Sequence, residues 1–259
     1  AIMIDHDDAA AHNNLGGAYI NSGMYKKAID AFKHVIRIDH DDAGAHNNLG
    51  GAYINSGMNK EAIDAFKQAI RIDPDYADAH NNLGITYHKS GKYKEAIKAC
   101  KQAIRINPDN TDVHYNLGDA YIRLGMHKEA IKACKQAIRI NPNCAEAHSN
   151  LGGTYDKSGM YEEAIESCKQ AIRIDPDCAD AHYNLGDAYI GLGMYKEAIK
   201  ACKQAIRINP DSAEAHGNLG VAYDKSGMCK EAIKSCKQAI RIDPDCALAH
   251  YNLGNAYLD

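Results

Sequence analysis

The stretch from Ala77 to Asn110, ADAHNNLGITYHKSGKYKEAIKACKQAIRINPDN, decides the fold. His80, Leu83, Gly84 and Tyr87 stand at i, i+3, i+4 and i+7, the spacing of one stripe on a helix. Ala96, Ile97, Cys100, Ala103 and Ile104 make a second stripe. Gly91 lies between them, where a helix C-terminus takes up left-handed backbone. Pro108 closes the second, because proline cannot continue a helix. The pattern predicts two antiparallel helices, with small Gly84 and Ala96 allowing their backbones to approach closely. Asp75 is expected to cap the first helix, and Asp78, three residues on, to complete a capping box.

This unit recurs every 34 residues without insertion or deletion: Asn-Leu-Gly begins at Asn14, Asn48, Asn82, Asn116, Asn150, Asn184, Asn218 and Asn252. A helical hairpin repeated at fixed period is an all-α solenoid, in which each unit buries its apolar stripes against its neighbours. Seven full repeats run 11–44, 45–78, 79–112, 113–146, 147–180, 181–214 and 215–248. Residues 1–10 match the tail of a preceding repeat, and 249–259 match the first helix of another. The chain is therefore expected to form one elongated domain over 1–259. Neither end carries a polar cap, so the expectation is a fragment of a longer array.

The residues resemble the tetratricopeptide repeat family over the whole chain. The family pattern, W-x2-L-G-x2-Y…A-x3-F…P, is met by Leu83-Gly84, Tyr87, Ala96 and Pro108 and their equivalents in nearly every copy. Two slots depart from it. The tryptophan position is histidine throughout: His12, His46, His80, His114, His148, His182, His216 and His250. The phenylalanine position keeps Phe32 and Phe66 but is cysteine from Cys100 onward. The resemblance implies a right-handed superhelix whose first helices line a concave, peptide-binding groove.

Bulk properties exclude several other classes. The net charge of −4 argues against a nucleic-acid partner, which calls for a strong basic footprint. No apolar run approaches membrane-spanning length, so no membrane role is expected. Five of the nine cysteines, Cys100, Cys134, Cys168, Cys202 and Cys236, share one helical slot, which does not suit a disulfide framework. A reducing, cytoplasmic compartment is expected. Cys144-x3-His148, Cys178-x3-His182 and Cys246-x3-His250 have a ligand-like spacing, but two ligands do not close a zinc site. Lys101, Arg105 and their equivalents read as a solvated outer face. Histidine and cysteine are plentiful only in periodic slots, never as one constellation. The chain is therefore read as non-catalytic, without metal or cofactor.

A second stripe on the first helix carries the functional expectation. In one copy it runs Asp78, Asn81, Asn82, Ile85 and Lys89, and in the next Asp112, Tyr115, Asn116, Asp119 and Arg123. The resemblance places this stripe on the groove. The unvarying Asn14, Asn48, Asn82, Asn116, Asn150, Asn184, Asn218 and Asn252 carry both donor and acceptor, so they suit a peptide backbone. Equally, they suit links between neighbouring repeats. The arrays of O-linked N-acetylglucosamine transferase are similar in carrying such a ladder. First-turn acids such as Asp78 and Glu146 complement the helix dipole. Asp119, Asp187, Asp156 and Asp224 lie further along and lack that explanation. With Tyr115 and Tyr183 they complete the candidate peptide-binding set, and they point to a neutral or basic segment as partner. The expected function is a scaffold or adaptor holding an extended or helical peptide. The alternatives are the substrate-recognition part of a larger enzyme, such as a protein glycosyltransferase, and head-to-tail self-assembly through uncapped ends.

Overall fold

The computed structural model describes residues 8–257. Among these there are fifteen helices and no strand, so the all-α repeat solenoid expected from the period is the fold. The reading of the opening residues as a repeat tail lies outside the described residues for 1–7. The first helices are α1 (Ala9–Asn21), α3 (Ala43–Asn55), α5 (Ala77–Lys89), α7 (Thr111–Arg123), α9 (Ala145–Lys157), α11 (Ala179–Gly191), α13 (Ala213–Lys225) and α15 (Ala247–Asn255). The second helices are α2 (Tyr25–Ile38), α4 (Asn59–Ile72), α6 (Tyr93–Ile106), α8 (His127–Ile140), α10 (Tyr161–Ile174), α12 (Tyr195–Ile208) and α14 (Cys229–Ile242).

The chain divides into two compact units, Ala1–Leu124 and Gly125–Asp259. Within each, a first helix packs on the second helix of its own repeat, and that second helix packs on the next first helix. First helices of successive repeats also touch one another, whereas second helices do not.

Local chemistry sets the helix ends. The turn inside each repeat is made by a glycine with positive φ, +71° at Gly91 and +73° at Gly159, a conformation that costs a side-chain-bearing residue about 1 kcal/mol or more. Main-chain amides close the turn, as where Gly91 donates to His88 and Lys92 to Tyr87. The cap of α5 is Tyr76, not Asp75, and Tyr76 makes no side-chain cap bond. Asp73 shifts the cap by one residue: its carboxylate accepts the Asp75 amide at 3.1 Å, so an extra turn residue precedes the helix. In other repeats the equivalent of Tyr76 does cap: Asp42 accepts from Ala45, Asn110 from Val113 and Ser212 from Ala215.

The histidines in the tryptophan slot face this same turn. Nε2 of His80 donates to the Pro74 carbonyl at 3.0 Å, and His114, His148, His182, His216 and His250 repeat the bond to Pro108, Pro142, Pro176, Pro210 and Pro244. A carbonyl left open by the proline turn is thereby satisfied. Nε2 of His148, His182 and His250, the histidines that follow Cys144, Cys178 and Cys246, is engaged in this way.

The core sits where the two helices of a hairpin cross. Phe32 and Phe66 are almost wholly buried, each ring against a glycine of the preceding helix, Gly16 and Gly50. From Cys100 onward a thiol fills that place, over Gly84, Gly186 and Gly220 in the repeats of Cys100, Cys202 and Cys236. Burial pushes the Cys100 and Cys202 thiols up to about 12, so they are small apolar fillers, not nucleophiles. Lysines of second helices lie over tyrosine rings of the next first helix: Lys101 is 5.7 Å from the Tyr121 ring and Lys169 5.9 Å from that of Tyr189. The outer basic face is thus partly a row of cation–π contacts between repeats.

Candidate peptide-binding face

The stripe read from the sequence runs along the first helices, most of it half-buried, and two registers govern how its residues meet. In a register of 35 residues, the ladder asparagine reaches back to the preceding repeat. Nδ2 of Asn48 donates to Asn13 Oδ1 at 3.0 Å, that of Asn82 to Asn47 at 3.1 Å and that of Asn116 to Asn81 at 3.2 Å. In the second unit, Asn184 donates to the carbonyl and hydroxyl of Ser149 at 3.2 and 3.3 Å. One donor of each of these carboxamides therefore joins neighbouring repeats. A carboxamide also offers a second N–H and an oxygen.

The other ladder positions differ. Asn14 is exposed on α1. Asn150 is half-buried, and its main-chain carbonyl accepts the Thr154 hydroxyl. Asn218 leans on Tyr183 and Asp187. Asn252 is buried, with Gly217 in the place of an acceptor side chain, and its Nδ2 has no hydrogen-bond partner.

In a register of 31 residues, positions late in one first helix meet positions mid-way along the next. Nε2 of His88 lies 2.8 Å from Asp119 Oδ2, and Arg123 Nε lies 3.8 Å from Asp119 Oδ1. In the second unit the same register pairs Asp156 of α9 with Asp187 of α11, and the two carboxyls are hydrogen bonded. Burial and the neighbouring Asp187 carboxylate push Asp156 up to about 7, with Lys157 acting the other way. Burial raises Asp187 as well, opposed by the bond from Asp156, by Lys157 and by Asn218. Burial, then the carboxylates of Asp187, Glu214 and Asp156, push the Tyr183 hydroxyl up. Asp224 is buried, with Oδ2 3.5 Å from Lys225 Nζ and Oδ1 without a hydrogen-bond partner. Tyr115 is half-buried on α7.

The structure thus brings Asp156, Asp187, Tyr183 and Asn218 together and holds Asp119 against a base. Sequence reasoning missed Asn13, Asn47, Asn81 and Ser149 as acceptors, and His88 as the partner of Asp119. Their signal was the offset of 35 or 31 residues between chemically matched positions, which the period of 34 conceals.

The Asp156–Asp187 contact has a consequence for stability. A carboxyl whose value is raised on folding binds its proton more tightly in the folded state. Its contribution is full below the ordinary carboxylate value near 3.8 and is lost as pH rises toward about 7. Asp156→Asn keeps a hydrogen-bonding side chain but removes the titration. It is expected to match the parent near pH 4 and to exceed it at pH 8 by about 1 kcal/mol, a figure discounted for partial exposure. Thermal unfolding of both proteins across that range measures the difference, and a gap that does not widen with pH overturns it.

Family models for the tetratricopeptide repeat match residues 87–152, 157–217, 191–250 and 9–42, and a further TPR repeat model matches 52–91. The chain belongs to the tetratricopeptide repeat family. No curated protein sequence matches it. Among solved structures, it is similar to that of the APC/C hetero-tetramer Cut9-Hcn1, with a TM-score of 0.80 and 20% identity over 93% of this chain and 48% of that one. This chain thus spans about half the length of that relative. It is similar to YrrB, described as a TPR protein with an unusual peptide-binding site, with a TM-score of 0.60 and 28% identity over 72% of this chain and 96% of that one. A tetratricopeptide repeat protein from Parabacteroides merdae matches with a TM-score of 0.74 and 16% identity over 96% of this chain and 98% of that one. No helix among the described residues is long and apolar enough to cross a membrane.

Proposed function

We propose that this protein-interaction scaffold holds an extended or helical peptide segment, neutral to basic in charge, along the faces of its first helices. The observation that carries the reading is the acid stripe of the second unit. Asp187 lies mid-way along α11, and Asp156 and Asp224 lie in the last turns of α9 and α13, all half-buried or buried and away from the first-turn amides that would account for them. Buried carboxylates are retained at a cost in solvation, so a stripe of them favours a cationic partner.

Two features support the location. First helices touch one another within each unit while second helices do not, so the layer of first helices is the more closely packed one. The carboxamides of Asn48, Asn82, Asn116 and Asn184 carry one N–H and an oxygen beyond their link to the preceding repeat, enough to accept and donate to a peptide main chain. YrrB, a structural relative of 28% identity, is itself described as having a peptide-binding site.

Selection of peptides from a random library tests this. Enriched peptides are expected to be neutral to basic, and to bind about tenfold more weakly to a chain carrying Asp119→Lys and Asp187→Lys. Enrichment of acidic peptides, or undiminished binding to the charge-reversed chain, sinks the reading.

A further inference from the structure

The exposed stripe of the second helices changes sign along the second unit. Positions i, i+4, i+7 and i+11 share one flank of a helix. On α12 they hold Lys196, Lys200, Lys203 and Arg207, all exposed. On the next second helix, α14, the same slots hold Lys230, Lys234, Lys237 and Arg241, again exposed. The stripe of α8 is basic in the same way, but α10 follows it with Glu162 and Glu166 in these slots. Among the described second helices of this unit, α12 and α14 are therefore the successive pair with wholly basic stripes.

The demands of the helices account for only part of this charge. Arg207 and Arg241 sit in last turns, where a cation complements the helix dipole. The lysines before them repel one another at i+3 and i+4, which weakens a helix. Earlier copies relieve that repulsion, since α2 carries Asp30 and α4 Asp64 where α12 and α14 carry Lys200 and Lys234. Glu197 and Glu231 precede Lys200 and Lys234 on their helices, yet among the described residues no ion pair neutralises Lys200, Lys203, Lys234 or Lys237.

Two of these cations are also held in place. Lys203 Nζ lies 5.5 Å from the centre of the Tyr223 ring, and Lys237 Nζ lies 5.6 Å from that of Tyr257. Such contacts fix the ammonium groups one repeat apart, so less side-chain freedom is lost when an anion binds. Neither stripe carries an aromatic residue on which a base could stack, which favours carboxylates over a nucleic acid.

We propose that the exposed faces of α12 and α14 form a binding surface for an acidic peptide segment, with Lys200 and Lys203 meeting one carboxylate and Lys234 and Lys237 another. The two helices do not touch, so their axes stand more than about 10 Å apart. An extended chain advances about 3.3 Å per residue, so carboxylates four residues apart lie on one side of it and span about 13 Å. The surface belongs to the second helices and does not depend on the reading of the first-helix face.

The test uses the full chain and three fluorescent probes. One is an extended glycine–serine peptide of about nine residues with glutamate at every fourth position, one is its glutamine counterpart, and one is a single-stranded oligothymidylate. Anisotropy gives affinities and amide NMR gives the location. The glutamate peptide is expected to bind about tenfold tighter than the glutamine peptide at roughly 50 mM salt, to lose most of that margin by roughly 200 mM, and to perturb α12 and α14. Lys200→Asp with Lys234→Asp installs the residues that α2 and α4 carry in those slots, so circular dichroism is expected to stay unchanged while binding weakens about tenfold. Lys26→Glu with Lys60→Glu makes the same change in net charge on α2 and α4, using the residue that α10 carries in that slot, and is expected to leave binding unchanged. Equal loss in both double variants, perturbation confined to other helices, or no preference for glutamate over glutamine overturns the surface. Tighter binding of the oligothymidylate than of the glutamate peptide overturns it in favour of a nucleic acid.

Discussion

Phe66→Ala is expected to destabilise the first unit by about 3–5 kcal/mol, the range for removing a buried aromatic ring. Phe66 has no solvent exposure, and its ring occupies the space a side chain on Gly50 would need, with a Cβ there falling 2.5 Å from Cε1. The ring joins Ala62 and Ile63 of its own helix and Leu49 and Tyr53 of the preceding one in a single core cluster. Helices held apart by a ring do not close fully on its loss, so a cavity adds to the lost burial. In a protein whose total stability is about 5–15 kcal/mol, such a loss is a large fraction. Nearest-neighbour stacking confines the damage, so part of the helical signal is expected to melt early, ahead of the rest. Phe66→Cys installs the residue that the later repeats use and is expected to recover part of the loss. Urea denaturation followed by circular dichroism measures both variants. A change below about 1 kcal/mol for Phe66→Ala would falsify the view that this ring fills the core.

The hairpin, its period and its glycine turn were legible because each rests on contacts within one repeat. Leu83, Gly84 and Tyr87 share a face by helical geometry alone, and Gly91 marks a backbone conformation that other residues resist. What lay hidden depends on how one repeat is offset against the next. Asn82 donates to Asn47 across 35 residues, and His88 meets Asp119 across 31. Neither offset follows from the 34-residue period, since each depends on which flank of one first helix faces which flank of the next. Asp156 and Asp187 were each visible as unexplained acids, but their pairing was not, because the spacing that joins them spans two turns and a whole second helix. The cap of α5 was misplaced by one residue for a smaller reason: Asp73 and Asp75 compete for the same turn, and only the bond from the Asp75 amide to Asp73 decides between them. The histidine slot was legible as structural, while its partner, the carbonyl of the preceding turn's proline, was not.

Gly186→Val is expected to cost the second unit about 3 kcal/mol, the upper part of the range for overfilling a packed core. A Cβ at Gly186 would stand 2.6 Å from Cys202 Sγ, and Cys202 is fully buried. The nearest backbone atoms are more distant, Cys202 N at 3.5 Å and Ala198 O at 3.7 Å. The conflict at Cβ is therefore with the thiol and not with the helix spacing itself. Cys202→Ala removes the sulfur, and the double variant is expected to be more stable than the sum of the two single changes by about 1 kcal/mol or more. Gly51 supplies the opposite control, since a Cβ there meets nothing within 4 Å. Gly51→Ala removes backbone freedom from the unfolded chain and raises helix propensity, so it is expected to stabilise by about 0.5–1 kcal/mol. The same denaturation measurements on all four variants decide the case. Strict additivity of Gly186→Val and Cys202→Ala would mean that the glycine is not there for the thiol, and that the light core of the later repeats leaves slack at the helix crossing.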